Sequence, residues 1–406
     1  MDDTTVRPYR LTADCVIAGG GPAGLMLGLL LARAGVDTIV LEKHADFLRD
    51  FRGDTIHPST QDSLAELGLL DEFLRLPHAD MSQVGLRCRG QDVVLADFSR
   101  LPTRRHAIAF MPQHHFLDLL ASASAREPRH RLLRRTRVTG LIHDGERVAG
   151  VQAEGPDGPV EVHARLVVGC DGRDSDVRRA AGLVPRRTRN AMDVLWFRLP
   201  RIGDERLPLF HAGDGALVVI DRGDFFQVAH IIRAGTWDPT PDALDRMRER
   251  VARLTPTLAE RMAALTLDDV KLLTVRIERL RRWYRDGLLC IGDAAHAMSP
   301  AGGVGVNLAI QDAIATANLL APLLRRGRPT PAALARVQRR RAFPAAVVQR
   351  VQSGLQRPML FGSDKGLGSR GGLPLALRIL RRVPLPRHVL GRLIGLGLRP
   401  EDVRQR

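Results

Sequence analysis

Between residues 14 and 42 the chain passes through three hydrophobic regimes. A short apolar run at 14–18 has the length of a buried strand, a longer one at 25–34 has the length of a helix and ends at Gly35, and 37–42 returns to strand length. The pattern predicts a strand over 14–18, a helix over 22–35 with Gly35 as its C-cap, and a strand over 37–42, together a βαβ unit of about 30 residues. Helices are expected near 59–67 and 70–75, strand-type alternation at 83–98, and a helix over 113–126. A hairpin over 137–153 should turn at Asp144-Gly145, with a second hairpin running to Val168. The middle reads as strands at 192–199, 216–221 and 225–233, helices at 242–254 and 256–265, and a strand at 270–280. A strand at 287–291, a long helix near 305–324 and arginine-studded helices with proline breaks complete the chain, and no internal repeat is evident.

Gly19-x-Gly21-x-x-Gly24 closes the first strand and opens the first helix. In that setting the first glycine permits a tight turn, the second lets backbone approach a pyrophosphate, and the third lets helix pack on strand. The helix N-terminus offers free N–H groups to phosphate. Glu42, followed by Lys43, ends the next strand about 20 residues on, the spacing of a ribose-binding acid. Two further stretches accompany this one: Gly169-Cys170-Asp171-Gly172 after an apolar run, and Gly292-Asp293-Ala294-Ala295-His296 followed by Pro300 and Gly302-Gly303-Val304-Gly305-Val306-Asn307. The Asp293 carboxylate suits a ribityl hydroxyl, and backbone donors at a helix start suit the electron-rich edge of a reduced flavin. Three correlated motifs point to one ligand, FAD. A second literal match, Gly366-x-Gly368-x-x-Gly371, follows no apolar strand and reads as a flexible loop, which leaves no second dinucleotide domain for a nicotinamide cofactor.

Because these motifs lie on both sides of the strand-rich middle, the expected fold is α/β. A discontinuous Rossmann-like FAD-binding domain (1–80, 101–185 and 275–380) would carry an inserted, mainly β substrate domain (81–100 and 186–274) and a C-terminal helical tail (381–406).

From about residue 12 to 325 the three motifs together resemble the single-component (class A) FAD-dependent aromatic hydroxylases of the para-hydroxybenzoate hydroxylase type. The resemblance implies an FAD-dependent monooxygenase that takes NADPH or NADH as a transient reductant. Oxygen would pass through a flavin C4a-hydroperoxide to an aromatic or polycyclic, lipophilic natural-product-type substrate. It implies that Arg52 lies along the FAD ribose and pyrophosphate, with Gln113 near the same region. Val138 would hold the adenine through its backbone, and Asp171 would serve both FAD and reductant. Pro300 would lie at the reactive edge of the ring, with Gly302, Gly303, Val304, Gly305, Val306 and Asn307 along its pyrimidine side.

Departures from the pattern shape the rest. With no thioredoxin-like extension before residue 406, the chain is expected to differ from the larger phenol and tetracycline-type hydroxylases. Tyr9 and Tyr284 are poorly placed as general bases, which leaves His57 as the catalytic candidate against a purely structural role. His114 and His115 read as surface residues and His296 as structural. The tryptophan pair and lysine of flavin halogenases and the cysteine pair of disulfide reductases are absent, while an FAD-dependent dehydrogenase or reductase stays as the alternative.

Composition changes this picture little. With 44% hydrophobic and 26% charged residues the chain reads as globular. Its net charge of +16 comes almost wholly from arginine, since only Lys43, Lys271 and Lys365 are lysines. That skew is what a GC-rich genome writes onto a surface, so a nucleic-acid partner is not expected. Cys15, Cys88, Cys170 and Cys290 show no metal or redox spacing, no signal-peptide pattern opens the chain, and a reduced, cytoplasmic setting is expected. The tail from 373 to 399 mixes apolar residues with arginines. It has the make-up of a membrane-surface segment but is expected to pack on the domain, and Pro384 and Pro386 preclude one continuous helix.

Overall fold

The computed structural model describes residues 8–48, 55–88, 90–188, 192–213, 215–300, 302–365, 373 and 375–404. The first strand, Tyr9–Ala18, reaches five residues further back than the apolar run predicts, because its polar half pairs in parallel with 160–164 of the strand Gly158–Gly169. It lies at the centre of an eight-stranded sheet, flanked by Gly158–Gly169 and Thr38–Glu42, with His130–Arg134 and Leu288–Cys290 continuing the parallel order outward. The hairpin Arg137–Asp144 and Arg147–Gly155, turning at Gly145, extends Gly158–Gly169 in antiparallel fashion. Helices Pro22–Arg33 and Val304–Leu324 pack on this sheet, and ten residues of the first are buried. Val304–Leu324 is, among the described residues, long and apolar enough to cross a membrane, but 72% of its apolar window is buried in this core.

The middle of the chain builds a seven-stranded sheet in the order Lys271–Thr274, Met192–Pro200, Phe225–Arg233, Gly215–Asp221, Phe210–Gly213, Gln83–Cys88, Gln91–Asp97. Period-2 alternation gives it two apolar faces. Leu195, Phe197, Leu217, Val219, Phe226 and Val228 pack beneath the helix Pro241–Leu254. Val194, Trp196, Ile220 and Ala229 face the other way and join Phe98, Leu101, Phe110 and Ile277.

Three expectations need correction. The strand expected over 270–280 is two, Lys271–Thr274 and Ile277–Leu280, which belong to different sheets. The buried Asp193 carboxylate accepts from the Val275 amide at 3.2 Å and from Gly235 N at 2.9 Å, and so turns the chain between them. The helix expected over 256–265 is a 3₁₀ turn, Pro256–Leu258, followed by the single turn Ala259–Met262. Prolines do not break the helix after 330: Pro331–Lys365 runs for 35 residues through Pro344. An interior proline costs about 3 kcal/mol, but the buried stripe Leu334, Val337, Arg341, Ala345, Gln349, Gln352 continues across it, so packing on both sides holds the axis. The tail does divide, into Leu375–Arg382 and Pro384–Gly395.

His230 lies on the face of the seven-stranded sheet that meets Pro241–Leu254, 2% exposed, with neither ring nitrogen partnered. Burial first, and the Arg250 charge second, lower its pKa to about 3. The folded value lies below the ordinary 6.5, so its contribution is fully present above pH 6.5 and is lost as pH falls towards 3. A His230→Leu variant should be more stable than the parent by about 1 kcal/mol at neutral pH. In thermal melts between pH 7 and 5 its advantage should widen by about 1.4 kcal/mol per pH unit below 6.5; parallel pH profiles would refute the assignment.

Candidate FAD and oxygen-transfer site

The glycine loop is built by close approach. A Cβ on Gly24 would stand 1.9 Å from the Gly19 carbonyl oxygen, so nothing larger than glycine lets Pro22–Arg33 seat on the loop. Gly21 is the opposite case: its φ of −78° suits any residue, and a Cβ there would meet no protein atom within 4 Å. Glu42 braces the loop from the neighbouring strand, with Oε2 accepting from Gly20 N at 2.8 Å and Oε1 from His44 N at 2.9 Å. Lys43 beside it is exposed. Val138 lies close by, since Thr136 N donates to the Glu42 carbonyl. Gln113 opens the helix Gln113–Ala125, and Arg52 lies outside the described residues.

The second motif meets the first edge-on, with Cys170 N donating to Ala18 O at 2.7 Å. Asp171 is turned into its own bend: Ser175 Oγ donates to Oδ1 at 2.5 Å and Val177 N to Oδ2 at 3.1 Å. Burial raises its pKa, opposed by those hydrogen bonds. In the third motif, Gly292 is wedged between helices: a Cβ there would lie 3.3 Å from Ala309 and 3.4 Å from Ala23. Asp293 pairs with Arg173, Nε to Oδ2, at 3.0 Å.

Gly303, at φ +63°, starts the helix Val304–Leu324, and a Cβ there would collide with Thr55 Oγ1 at 2.2 Å. Gly302 beside it faces open space, Gly305 has only Met298 in reach, and Gly303 N donates to Pro300 O at 3.1 Å. Asn307 commits its whole amide to cross-links: Nδ2 donates to Thr55 O and Gly303 O, while Oδ1 accepts from His57 N and Thr60 Oγ1. Val304 and Val306 fall in the same first turn.

His57 is 1% exposed. Its Nδ1 donates to the Ile394 carbonyl at 2.9 Å, and Nε2 has no partner. Burial lowers its pKa to about 4, only partly opposed by the bond to Ile394, so the ring is neutral near pH 7 and Nε2 carries a lone pair. His296 is structural as expected: its Nε2 donates to Asp312 Oδ2 at 2.5 Å.

These residues fit a flavin dinucleotide. Pro22–Arg33 and Val304–Leu324 both begin at glycine, without a side-chain cap or an acid in the first turn. Their N-terminal amides and partial positive charge are therefore uncompensated by protein. The open space at Gly21 and Gly302 lies where each begins.

The comparisons agree with this geometry. Residues 12–351 match the family described as FAD binding domain. The chain belongs to the FAD-dependent aromatic monooxygenases. It is 34% identical over 385 residues to 6-methylpretetramide 4-monooxygenase of Streptomyces rimosus, covering 94% of this chain and 91% of that one. It is 33% identical over 327 residues to 12-dehydrotetracycline 5-monooxygenase/anhydrotetracycline 6-monooxygenase of the same species, covering 74% of this chain but only 61% of the relative. The anhydrotetracycline hydroxylase structure from Streptomyces rimosus superimposes with a TM-score of 0.75 at 26% identity, covering 96% of this chain and 77% of that one. The chain is thus similar to enzymes named for 6-methylpretetramide and anhydrotetracycline, and it spans 61% of the length of the second. Like the family, this enzyme uses FAD, with NAD(P)H as reductant.

Several site residues were not foreseen: Arg173 against Asp293, Thr55 and Thr60 around Asn307, and the Asp312–Arg341–Glu401 network behind His296. Arg173 follows Asp171-Gly172 directly and was within reach of motif reading; the others carry no local signal.

Gly21→Val should leave the stability of the FAD-free protein within about 0.5 kcal/mol while weakening FAD binding at least about tenfold. Gly24→Ala should instead destabilise the fold by about 1–3 kcal/mol, and equal effects of the two on melting and on FAD titration would refute this division of roles. Arg341→Met, which removes the cation shared by the buried Asp312 and Glu401 carboxylates, should cost about 3–5 kcal/mol in urea denaturation; a cost below about 1 kcal/mol would show the network to be dispensable.

Proposed function

We propose that this monooxygenase hydroxylates a polycyclic, phenolic substrate held between the inner face of the seven-stranded sheet and residues 298–300. The observation that carries this reading is the apolar row Val194, Trp196, Ile220 and Ala229, which shares one cluster with Ile277. The strand Ile277–Leu280 is in turn tied to the residue directly before that stretch, Glu278 N donating to Ala297 O. Relatives named for tetracyclic substrates support the substrate class.

In this reading residues 1–80, 101–185 and 275–380 form the FAD-binding domain, and 81–100 with 186–274 the substrate domain. Gly19, Gly21, Gly24 and the helix N-terminus receive the pyrophosphate, Glu42 a ribose, and the Val138 backbone the adenine. Asp293, steadied by Arg173, takes the ribityl chain, and the Gly302–Asn307 turn faces the pyrimidine edge. When bound, FAD supplies hydride acceptance from NAD(P)H and, once reduced, activation of O₂. The protein orients the ring, aims uncompensated amides at its electron-rich edge, and keeps water out with the apolar sheet face. Pro300 borders the reacting edge. We assign His57 a positioning role, through its amide on Asn307 and its ring on Ile394, in place of a general base.

The test is to photoreduce the bound flavin without oxygen, mix it with isotopically labelled O₂ and a polycyclic phenol, and analyse product and reoxidation together. Incorporation of one labelled oxygen atom into the phenol is expected. A reduced flavin that fails to react with oxygen would sink the proposal and favour a dehydrogenase or reductase on the same fold.

A further inference from the structure

Among the described residues, half of the large hydrophobic side chains most open to solvent lie between 375 and 398. Leu375 (70% exposed) and Ile379 share one face of Leu375–Arg382, and Leu385 (67%), Val389 (58%) and Leu393 form an i, i+4, i+8 ridge on Pro384–Gly395. Val383, between the helices, is exposed as well. These helices are firmly seated by their other faces. Leu377 and Leu380 pack with Leu373 over Cys88 and Val93. Leu390 and Ile394 join the Trp196 and Ile220 cluster, and Gly391 lies so close to Asp97 that a Cβ would stand 2.1 Å from its carbonyl oxygen.

The acid-base charge carried by this segment has one sign. No acid occurs between Leu373 and Glu401, whereas Arg378, Arg381, Arg382, Arg387, Arg392 and Arg399 do. None of the six forms an ion pair among the described residues, and Arg378 and Arg381 bond only to the neutral Leu373 carbonyl and Gln91 amide. By helical spacing Arg382 stands beside Leu375 and Ile379, and Arg392 beside Leu385 and Val389. A second copy of the chain would bring arginine against arginine. A surface of anionic headgroups over acyl chains complements both features at once.

We propose that the outer face of residues 375–398 docks on an anionic lipid bilayer. The bilayer would then lie one helix thickness, about 10 Å, from the apolar face of the seven-stranded sheet, and a lipophilic substrate has a short path to it. The proposal goes beyond the hydroxylase reading and does not depend on it.

The FAD-loaded chain should co-sediment with phosphatidylglycerol vesicles at low salt, and weakly with phosphatidylcholine vesicles or at high salt. An Ile379→Glu/Val389→Glu variant should bind at least about tenfold more weakly, with its flavin spectrum and circular dichroism unchanged. If that variant misfolds, Arg382→Gln/Arg392→Gln, which leaves the packed faces intact, should weaken binding about tenfold or more. Absence of sedimentation with phosphatidylglycerol, or variants that bind like the parent, would overturn the proposal. So would a dimer seen by light scattering that the Ile379→Glu/Val389→Glu change dissociates, since a second copy would then occupy the ridge.

Discussion

The Asp312 carboxylate, wholly withdrawn from solvent in the middle of an apolar helix, fixes how the remaining parts assemble. Burial works to raise its pKa, but the His296 and Arg341 partners outweigh it and hold the group below its ordinary value. A buried charge is tolerated only when its lone pairs are filled. Oδ2 accepts from His296 and from the Gly292 amide, and Oδ1 from Arg341 Nε at 3.0 Å. Arg341 in turn reaches Arg399 O and Glu401. One carboxylate therefore joins the third glycine motif, two long helices and the end of the chain. Because it holds Gly292 N, it also sets the direction in which Asp293 leaves the strand, towards Arg173.

What the sequence made legible was what local chemistry decides. The βαβ unit, the hairpin at Gly145 and the strands at 192–200 and 225–233 are runs whose periodicity and turn residues agree with the final packing. The short strands Thr55–Ile56, Ala79–Met81 and Ile108–Phe110 escaped because two or three residues carry no periodicity, and they exist only by pairing with one another. The general expectation of proline breaks fails at Pro344 for the opposite reason. Its local penalty is real, but a stripe of buried side chains on either side outweighs it, and that stripe is defined by distant partners.

The candidate site divides in the same way. Gly24 and Gly303 are required by contacts under 2.5 Å that any Cβ would make, and those demands left glycines in the text of the chain. Asn307 was read as part of the lining of a flavin. Its side chain ties the helix start to Thr55, His57 and Thr60, some 250 residues away in sequence. His57 stood out as a titratable group near the motifs, yet its deep burial and its bond to Ile394 come from a helix that no spacing rule connects to it.

That bond bears on how the end of the chain should be regarded. The family match stops at residue 351, but the similarity to 6-methylpretetramide 4-monooxygenase spans 385 residues and so extends into the segment beyond it. That segment carries Ile394, which satisfies His57, and Glu401, which completes the Asp312 network through Arg341. Gln352 Nε2 also donates to Ser299 O at 3.0 Å, directly before Pro300. Three separate anchors thus run from the chain beyond residue 351 into the candidate site: one to the histidine behind Asn307, one to the carboxylate behind Asp293, and one to Ser299 beside Pro300. A segment with those inner obligations is part of what holds the candidate site in shape, because His57, Asp312 and Ser299 each depend on it for a hydrogen-bonded partner or for the partner's own anchor.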